Sequence, residues 1–467
     1  MAVARLVSVV MLVVFGMAAP LSAAEGTAEP GGRVRDFAVQ SLPAELSDGR
    51  MTTDANGLVY VAAVDENADP ASVVVRRYTD KGALDTTWGV SGVFTHVLAE
   101  PAENVAGIAV DSDGEVFVAA TSGMSTWVVK LDSAGALDTG FGGGAVDTAI
   151  PCAPAHSMAV DSAGDIWVVN LESGEGDCTG SDYRKLNGAT GASLLADDAD
   201  WLPSFALDIE SVPGGGVALL ATDEGGTATV VTRLTAEGAV DSGFGAGGSV
   251  QVSSRSVPHW YPEAGELHVQ VDGSITAAFH PVDDPGVETC DPVGSECFTA
   301  ADIEVARVSS SGALVETFGT AGTYLANVNI AGDNSLAGTL DISLSAIAGG
   351  HVYVGYNVPG GGLRGRVLAL DDTTGQVDIG FRGTGTVPLN YRLVGVRADA
   401  AQLVTLGDAS SLTLAAFHLA NGTGLCDGLV TTLLGTEGDD VLDGTSGDDV
   451  VYAGPGNDTV NGLAGDD

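Results

Sequence analysis

An eight-residue phrase recurs along the chain, each copy a glycine followed by a short apolar run. It reads GLVYVAAV from Gly57, GEVFVAAT from Gly114, GDIWVVNL from Gly164, GGVALLAT from Gly215, GSITAAFH from Gly273 and GHVYVGYN from Gly350, with a looser AQLVTLGD from Ala401. Runs this short and rich in β-branched and aromatic residues predict buried strands. A strand precedes the phrase, as in GIAVD from Gly107, SMAVD from Ser157 and VGVRAD from Val394. Another follows it, as in VVVRRYTDKGALD, TWVVKLDSAGALD and GRVLALDDTTGQVD. Each unit therefore holds at least three strands.

A second signature closes the third strand: LDTTWG at Leu84, LDTGFG at Leu137, VDSGFG at Val240, LVETFG at Leu314 and VDIGFR at Val377. Its aliphatic and aromatic residues are four apart, a spacing that predicts one helical turn with Leu84 and Trp88, or Leu137 and Phe141, on one side, plugging the gap between units. The glycine after the aromatic suits a left-handed stop. A fourth strand is expected downstream, as in GVFTHVLAE from Gly92 and GTVPLNY from Gly385. Four-stranded units at this spacing suit propeller blades rather than the coils of a β-helix. Six units are complete or nearly so, and the seventh lacks a strand. GRVRDFAVQ from Gly32 is expected to supply it, residues 32–40 pairing with 392–420 and leaving few free sheet edges.

The pairing of this strand repeat with L-D-x-x-F-G resembles the delta-60 repeat family of exported bacterial proteins, and the central phrase is similar to those of NHL-type propellers. The likeness covers most of residues 49–390; it speaks for architecture and hardly for activity. The third unit departs most: around Leu194 to Trp201 the glycine and a clear fourth strand are missing from the pattern.

From Gly435 the period changes to nine: GTEGDDVLD, GTSGDDVVY, AGPGNDTVN and GLAGDD. Glycines allow tight turns with converging carbonyls, and the Asp residues add charged oxygen, the donor set of a hard cation. These units resemble the RTX, or hemolysin-type, nonapeptide, although Thr436 and Thr445 replace its second glycine and Ala453 its first. The resemblance implies a parallel β-roll with Ca2+ between successive turns. It implies ligands at Asp440, Asp449, Asp458 and Asp467, with further oxygens from the turn residues Gly435, Glu437, Asp439, Gly444, Ser446, Asp448, Gly454 and Asn457. Leu442, Val451 and Val460 would fill the interior. With two nonapeptides per coil, one ion would bridge the loops of Asp440 and Asp458, and another those of Asp449 and Asp467. The last unit breaks off, and further repeats are expected beyond it.

Residues 1–24 read as a secretory signal: Arg5, an apolar stretch from Leu6 to Ala19, and Ser22-Ala23-Ala24 before Glu25. A retained anchor is the alternative; no later stretch is long and apolar enough to span a membrane. The formal net charge is -44, and lysine occurs only at 81, 130 and 185. Such a charge disfavours nucleic acid and anionic lipid and favours divalent counter-ions. Of five cysteines, Cys290 with Cys297, and Cys152 with Cys178, are expected to staple surface loops, leaving Cys426 over.

Catalytic chemistry is hard to find. The seven histidines show no HxH or HExxH spacing, and the glycine runs are not followed by Lys-Ser or Lys-Thr. His268 and His280 flank a turn of the fifth unit, with core packing and the channel both open to them. His259-Trp260-Tyr261 reads as an anchored loop or a contact patch. Asp111, Asp161 and Asp399 recur at one repeat position, as a turn hydrogen bond would; a catalytic pair should break the repeat symmetry. The reading is thus an all-β chain: residues 1–24 a signal, 25–424 a seven-bladed β-propeller, 425–434 a linker and 435–467 a truncated parallel β-roll of calcium-binding nonapeptides. It is expected to be exported, its tail folding on Ca2+ and its propeller a scaffold for carbohydrate or a cell-envelope protein. The alternatives are a secreted lyase or hydrolase with its site in the central channel or near residues 255–300, and a propeller with its own axial calcium.

Overall fold

The computed structural model describes residues 33–34, 37–123, 125–150, 155–170, 182–197, 205–223, 227–256, 265–281, 301–328, 342–348, 350–358, 364–378, 380–382, 384–398, 402–408 and 411–419. In the tail it describes 425–426, 429–430, 433–434, 441–444, 447, 449, 451–452 and 459–463. The signal-like segment, the His259-Trp260-Tyr261 patch, Asp399 and Cys152, Cys178, Cys290 and Cys297 lie outside the described residues, as does the side chain of Cys426. No helix of the described residues is long and apolar enough to cross a membrane.

Among the described residues the strands form seven four-stranded antiparallel sheets and three two-stranded pairs. In blades 1 to 6 the sheet order follows the chain, from an inner strand outward. Those inner strands are Leu46–Thr53, Asn104–Val110, Ala155–Val160, Phe205–Ser211, Gly265–Val269 and Ile342–Ala348; Arg392–Ala398 serves blade 7. Each inner strand packs on the next, and that of blade 7 packs on that of blade 1, so the ring is closed around an axis. All-β architecture with seven blades follows.

The last blade takes its outer strand from the start of the chain. Gln40 and Ser41 pair with Leu414 and Thr413, and Arg33 bridges to Phe417. The central phrase forms the second strand everywhere. In blade 1, Val59–Asp65 is buried along nearly its whole length, because blades cover both faces of it.

Seven hydrophobic clusters fill the gaps between blades, and the signature aromatic residues belong to them. Here the structure departs from the sequence expectation. The segment from Leu84 to Trp88 is a hairpin turn, with Leu84 bridged back to Tyr78 and the Trp88 N–H donating to the Asp85 carbonyl at 3.2 Å. Aliphatic and aromatic residues therefore point to opposite sides. Trp88 is buried between blades 1 and 2, whereas Leu84 packs against the cluster between blades 7 and 1. Likewise Leu137 packs against the cluster between blades 1 and 2, and Phe141 fills the next gap.

The signature aspartate also has a task. Asp85 pairs with Arg77 at 2.7 Å and Asp241 with Arg233 at 2.7 Å. The cations lie over the blade's aromatic ring, Arg77 at 5.5 Å from Trp88 and Arg233 at 4.6 Å from Phe244. A chain with few cations thus spends several of them inside its blades.

After the aromatic, the chain turns left-handed and latches the next blade. Gly89 has φ 53° and donates its N–H to the Ala134 carbonyl at 2.7 Å. Blade 7 has no such signature of its own, and the amino-terminal strand replaces it: Phe37 is buried between blades 7 and 1, and the Ala38 N–H donates to the Lys81 carbonyl at 2.7 Å. A Cβ on Gly82 would lie 2.5 Å from the Phe37 ring, as one on Gly135 would from Trp88. The third blade has an outer strand after all, Ser193–Asp197. Tyr183 takes the place of its aromatic plug and donates its hydroxyl proton to the Gly238 carbonyl at 3.1 Å.

Candidate calcium site and central channel

The tail pairs with itself at a spacing of two nonapeptides. Leu433 and Leu434 run parallel to Val451 and Tyr452, and Val441, Leu442 and Asp443 run parallel to Thr459, Val460 and Asn461. Every pair is separated by two nine-residue units, so one coil holds two repeats. The Gly444 N–H donates to the Asn461 carbonyl at 2.7 Å, and Asn461 Nδ2 donates to Asp443 Oδ1 at 2.6 Å. Val441 remains 72% exposed and Val460 45% exposed. Of the residues expected to fill the interior, Leu442 and Val451 are half-buried and Val460 is exposed.

Of the sequence-predicted ligands, Asp449 and Gly444 are described. Asp440, Asp458, Asp467, Gly435, Glu437, Asp439, Ser446, Asp448, Gly454 and Asn457 lie outside the described residues. Asp449 is buried, at 4% exposure, which a carboxylate tolerates only with partners. Its Oδ2 and the Gly462 carbonyl oxygen converge on the α-carbon of Gly444: a Cβ there would lie 2.9 Å from the first and 2.5 Å from the second. The two oxygens come from successive coils. Both groups are oxygen donors, the type a calcium ion takes, and they come this close because residue 444 has no side chain. Among the described residues no three His, Cys, Asp or Glu side chains converge as a metal set.

Residues 434–467 match the model of the RTX calcium-binding nonapeptide repeat, in four copies. The tail carries RTX calcium-binding repeats. Such repeats bind Ca2+, and a parallel β-roll is their characteristic fold. In sequence, no curated protein matches the chain. Among solved structures it is similar to a virginiamycin B lyase from Staphylococcus aureus in a catalytically inactive form with quinupristin (11% identity, 82% of this chain and 100% of that chain, TM-score 0.42). It is also similar to YCF48 from Cyanidioschyzon merolae (11%, 82% and 99%, 0.42) and to Drosophila Semaphorin 2a (9%, 84% and 76%, 0.45). The blade pattern is compatible with the delta-60 likeness.

The propeller axis holds a cavity of about 710 Å³ lined by all seven inner strands. Seven residues before each turn glycine, blades 1 to 6 each place one residue there. Blades 2, 3 and 6 use the small residues Gly107, Ser157 and Ser343, and Gly395 of blade 7 holds the register position of Gly107. Blades 1, 4 and 5 instead place Arg50, Asp208 and Glu266. Two residues further on stand Glu210, His268 and Arg397. The repeat symmetry is broken by charge.

The carboxylates are clamped to the next blade. Asp208 accepts from the Ser157 hydroxyl at 2.6 Å and from the Leu267 N–H at 2.9 Å. Glu266 accepts from the Leu344 N–H at 2.5 Å, and Glu210 from the Val269 N–H and, at 3.1 Å, from His268 Nδ1. An inner strand is a sheet edge with unpaired N–H groups, and these side chains satisfy several of them. Ser343 does the same for Val396 at 3.0 Å without a charge. Burial pushes the Asp208 carboxyl up to about 7, with the Glu266 charge adding to the effect. Glu266 is raised by burial too, against the nearby Arg397 charge.

Of the two histidines singled out in the sequence, His268 lines the channel, while His280 is buried at the end of its strand. Asp111 is the turn residue expected, accepting from the Asp113 and Glu115 N–H groups at 2.9 Å. Asp161 does likewise and also pairs with Lys185 at 3.0 Å. The channel charges were absent from the sequence reading, although counting back from each turn glycine would have aligned them.

Proposed function

We propose that the chain is an exported protein whose tail, residues 435–467, folds when Ca2+ is bound outside the cell, and whose propeller, within residues 25–424, is a rigid scaffold for a partner. The observation that carries this is the two-repeat parallel register, with Asp449 Oδ2 and the Gly462 carbonyl meeting at Gly444. Asp440 with Asp458, and Asp449 with Asp467, are the carboxylates we assign to the two bridging positions, with oxygens from the neighbouring turns. Adjacent acidic residues, Asp439 with Asp440 and Asp448 with Asp449, repel by roughly 1 kcal/mol per close pair even in water. Bound Ca2+ neutralises that charge, so that ion affinity becomes folding free energy. Extracellular modules bind at about 10⁻⁴ to 10⁻³ M, which keeps the tail loose in a cytosol and ordered outside. The leader-like residues 1–24 support the export route. Carbohydrate or a cell-envelope protein is the partner class we assign to the scaffold. Calcium titration of the full chain, read by calorimetry and by protease resistance of residues 425–467, tests the reading; absence of heat and of protection at millimolar Ca2+ defeats it.

A second reading has its own observation. The channel concentrates Asp208, Glu210, Glu266 and His268 on blades 4 and 5, with arginines on blades 7 and 1, and a secreted lyase or hydrolase would need such asymmetry. Turnover of a lactone, glycoside or ester panel that disappears in His268→Ala supports it, and an inert panel leaves the scaffold reading.

A further inference from the structure

The charges along the axis differ from blade to blade: Asp208, Glu210 and Glu266 stand on blades 4 and 5, whereas blade 7 carries Arg392 and Arg397 and blade 1 carries Arg50 beside Asp48. Where the two sets come nearest, Arg397 Nη1 and Glu266 Oε2 are 4.0 Å apart, too far for a hydrogen bond. Arg50 has no ion-pair partner among the described residues; its guanidinium makes only a 3.3 Å bond to the adjoining Gly49 carbonyl. The blade position of Arg50, Asp208 and Glu266 does not demand a charge, since Gly107, Ser157 and Ser343 hold it elsewhere.

We propose that the channel is a binding site for a small amphoteric molecule, its ammonium-type group held by Asp208, Glu210 and Glu266 and its anionic group by Arg50 and Arg397. The cavity, about 710 Å³, falls in the range of small-molecule sites, roughly 300–1,000 Å³. Each carboxylate is already fixed by a backbone N–H of the next blade, so little side-chain entropy is lost on binding. A carboxylate has about four lone-pair positions, and the clamps leave some facing the axis. A cationic group there relieves the repulsion among the three acids. An anion at Arg50 satisfies a guanidinium whose planar fork suits carboxylate or phosphate. A bare cation gains the first contact and meets two arginines; a bare anion gains the second and meets three carboxylates. Only a molecule with both charges is favoured at both walls. The inference rests on the channel being the ligand site of the propeller and is independent of the calcium reading of the tail.

The test uses the full chain, with and without Ca2+, and calorimetric titration with ω-amino acids from glycine to 6-aminohexanoate. Cadaverine and hexanoate are the single-charge controls. At neutral pH at least one ω-amino acid is expected to bind about tenfold or more tightly than either control. Arg50→Gln and Asp208→Asn are each expected to weaken it by about tenfold or more, with thermal midpoints confirming a folded propeller. No binding by any member overturns the proposal; so does cadaverine binding as tightly as the amino acids, or unchanged affinity in both variants. Binding without turnover leaves it standing while removing the enzymatic reading.

Discussion

Replacing Asp208 with asparagine isolates the free energy of holding a carboxylate on the propeller axis. Burial raises the Asp208 carboxyl from 3.8 to about 7, and the neighbouring Glu266 adds to this. Between those two values the folded state keeps a proton that the unfolded chain has released. Stability must therefore be highest below about pH 4 as far as this group is concerned, and must fall as pH rises through about 7. A shift of that size corresponds to about 4 kcal/mol. Asp208 is only partly covered, and partial exposure screens the charge, so we expect about 1–3 kcal/mol. The asparagine side chain would keep both contacts in geometry: its carbonyl oxygen can accept from the Leu267 N–H, and its amide can donate to the Ser157 hydroxyl. Carboxylates held below their ordinary value, such as Asp85 beside the Thr87 hydroxyl and Asp138 beside Lys130, act the opposite way and only below about pH 4. His96 and His418, held low by burial, titrate alike in both proteins, so the difference between the two curves from pH 5 to 8 reports on the channel, where Asp48, Glu210, Glu266, His268, Arg50, Arg392 and Arg397 face the site. Urea midpoints of both proteins, read by fluorescence of the buried Trp88 and Trp167, should diverge across that window in favour of Asp208→Asn. Parallel curves from pH 5 to 8 would refute the assignment.

Phe37→Ala should cost about 3–5 kcal/mol by emptying the gap between blades 7 and 1, seen as a lowered urea midpoint; an unchanged midpoint would show that the amino-terminal strand does not lock the ring. Arg382 occupies the left-handed position that Gly89 holds in blade 1, with φ 54°. Arg382→Gly should therefore stabilise by about 0.5–1 kcal/mol, the backbone relief of roughly 1–2 kcal/mol less the added freedom of the unfolded chain. Gly89→Ala should destabilise, since its Cβ would lie 2.7 Å from the Val93 carbonyl oxygen, and equal melting of all three proteins would contradict both statements. Asp449→Asn should raise the calcium midpoint of tail protection by about tenfold or more, because a site tunes its affinity by ligand charge; calorimetry with and without chelator checks it.

The chain by itself determined the periodicities. Turn glycines followed by apolar runs specify buried strands, and the nine-residue acidic units specify stacked glycine turns, because both depend on local backbone freedom and on which residues must leave water. The seventh unit's missing strand was expected from GRVRDFAVQ, residues 32–40; the strand that pairs there is Gln40–Ser41, with Arg33 bridged to Phe417. Tertiary structure decided what depends on neighbours in space. Leu84 and Trp88 point to different gaps, because a bridge to Tyr78 rather than a helical turn sets the direction of the first. Tyr183 stands in for the aromatic that the third unit lacks. Asp208, Glu266 and Arg50 look like scattered surface charges until seven inner strands close a ring and turn the same register position of each blade toward one axis. Their chemistry comes from that shared, poorly solvated space, and no single stretch of sequence contains it.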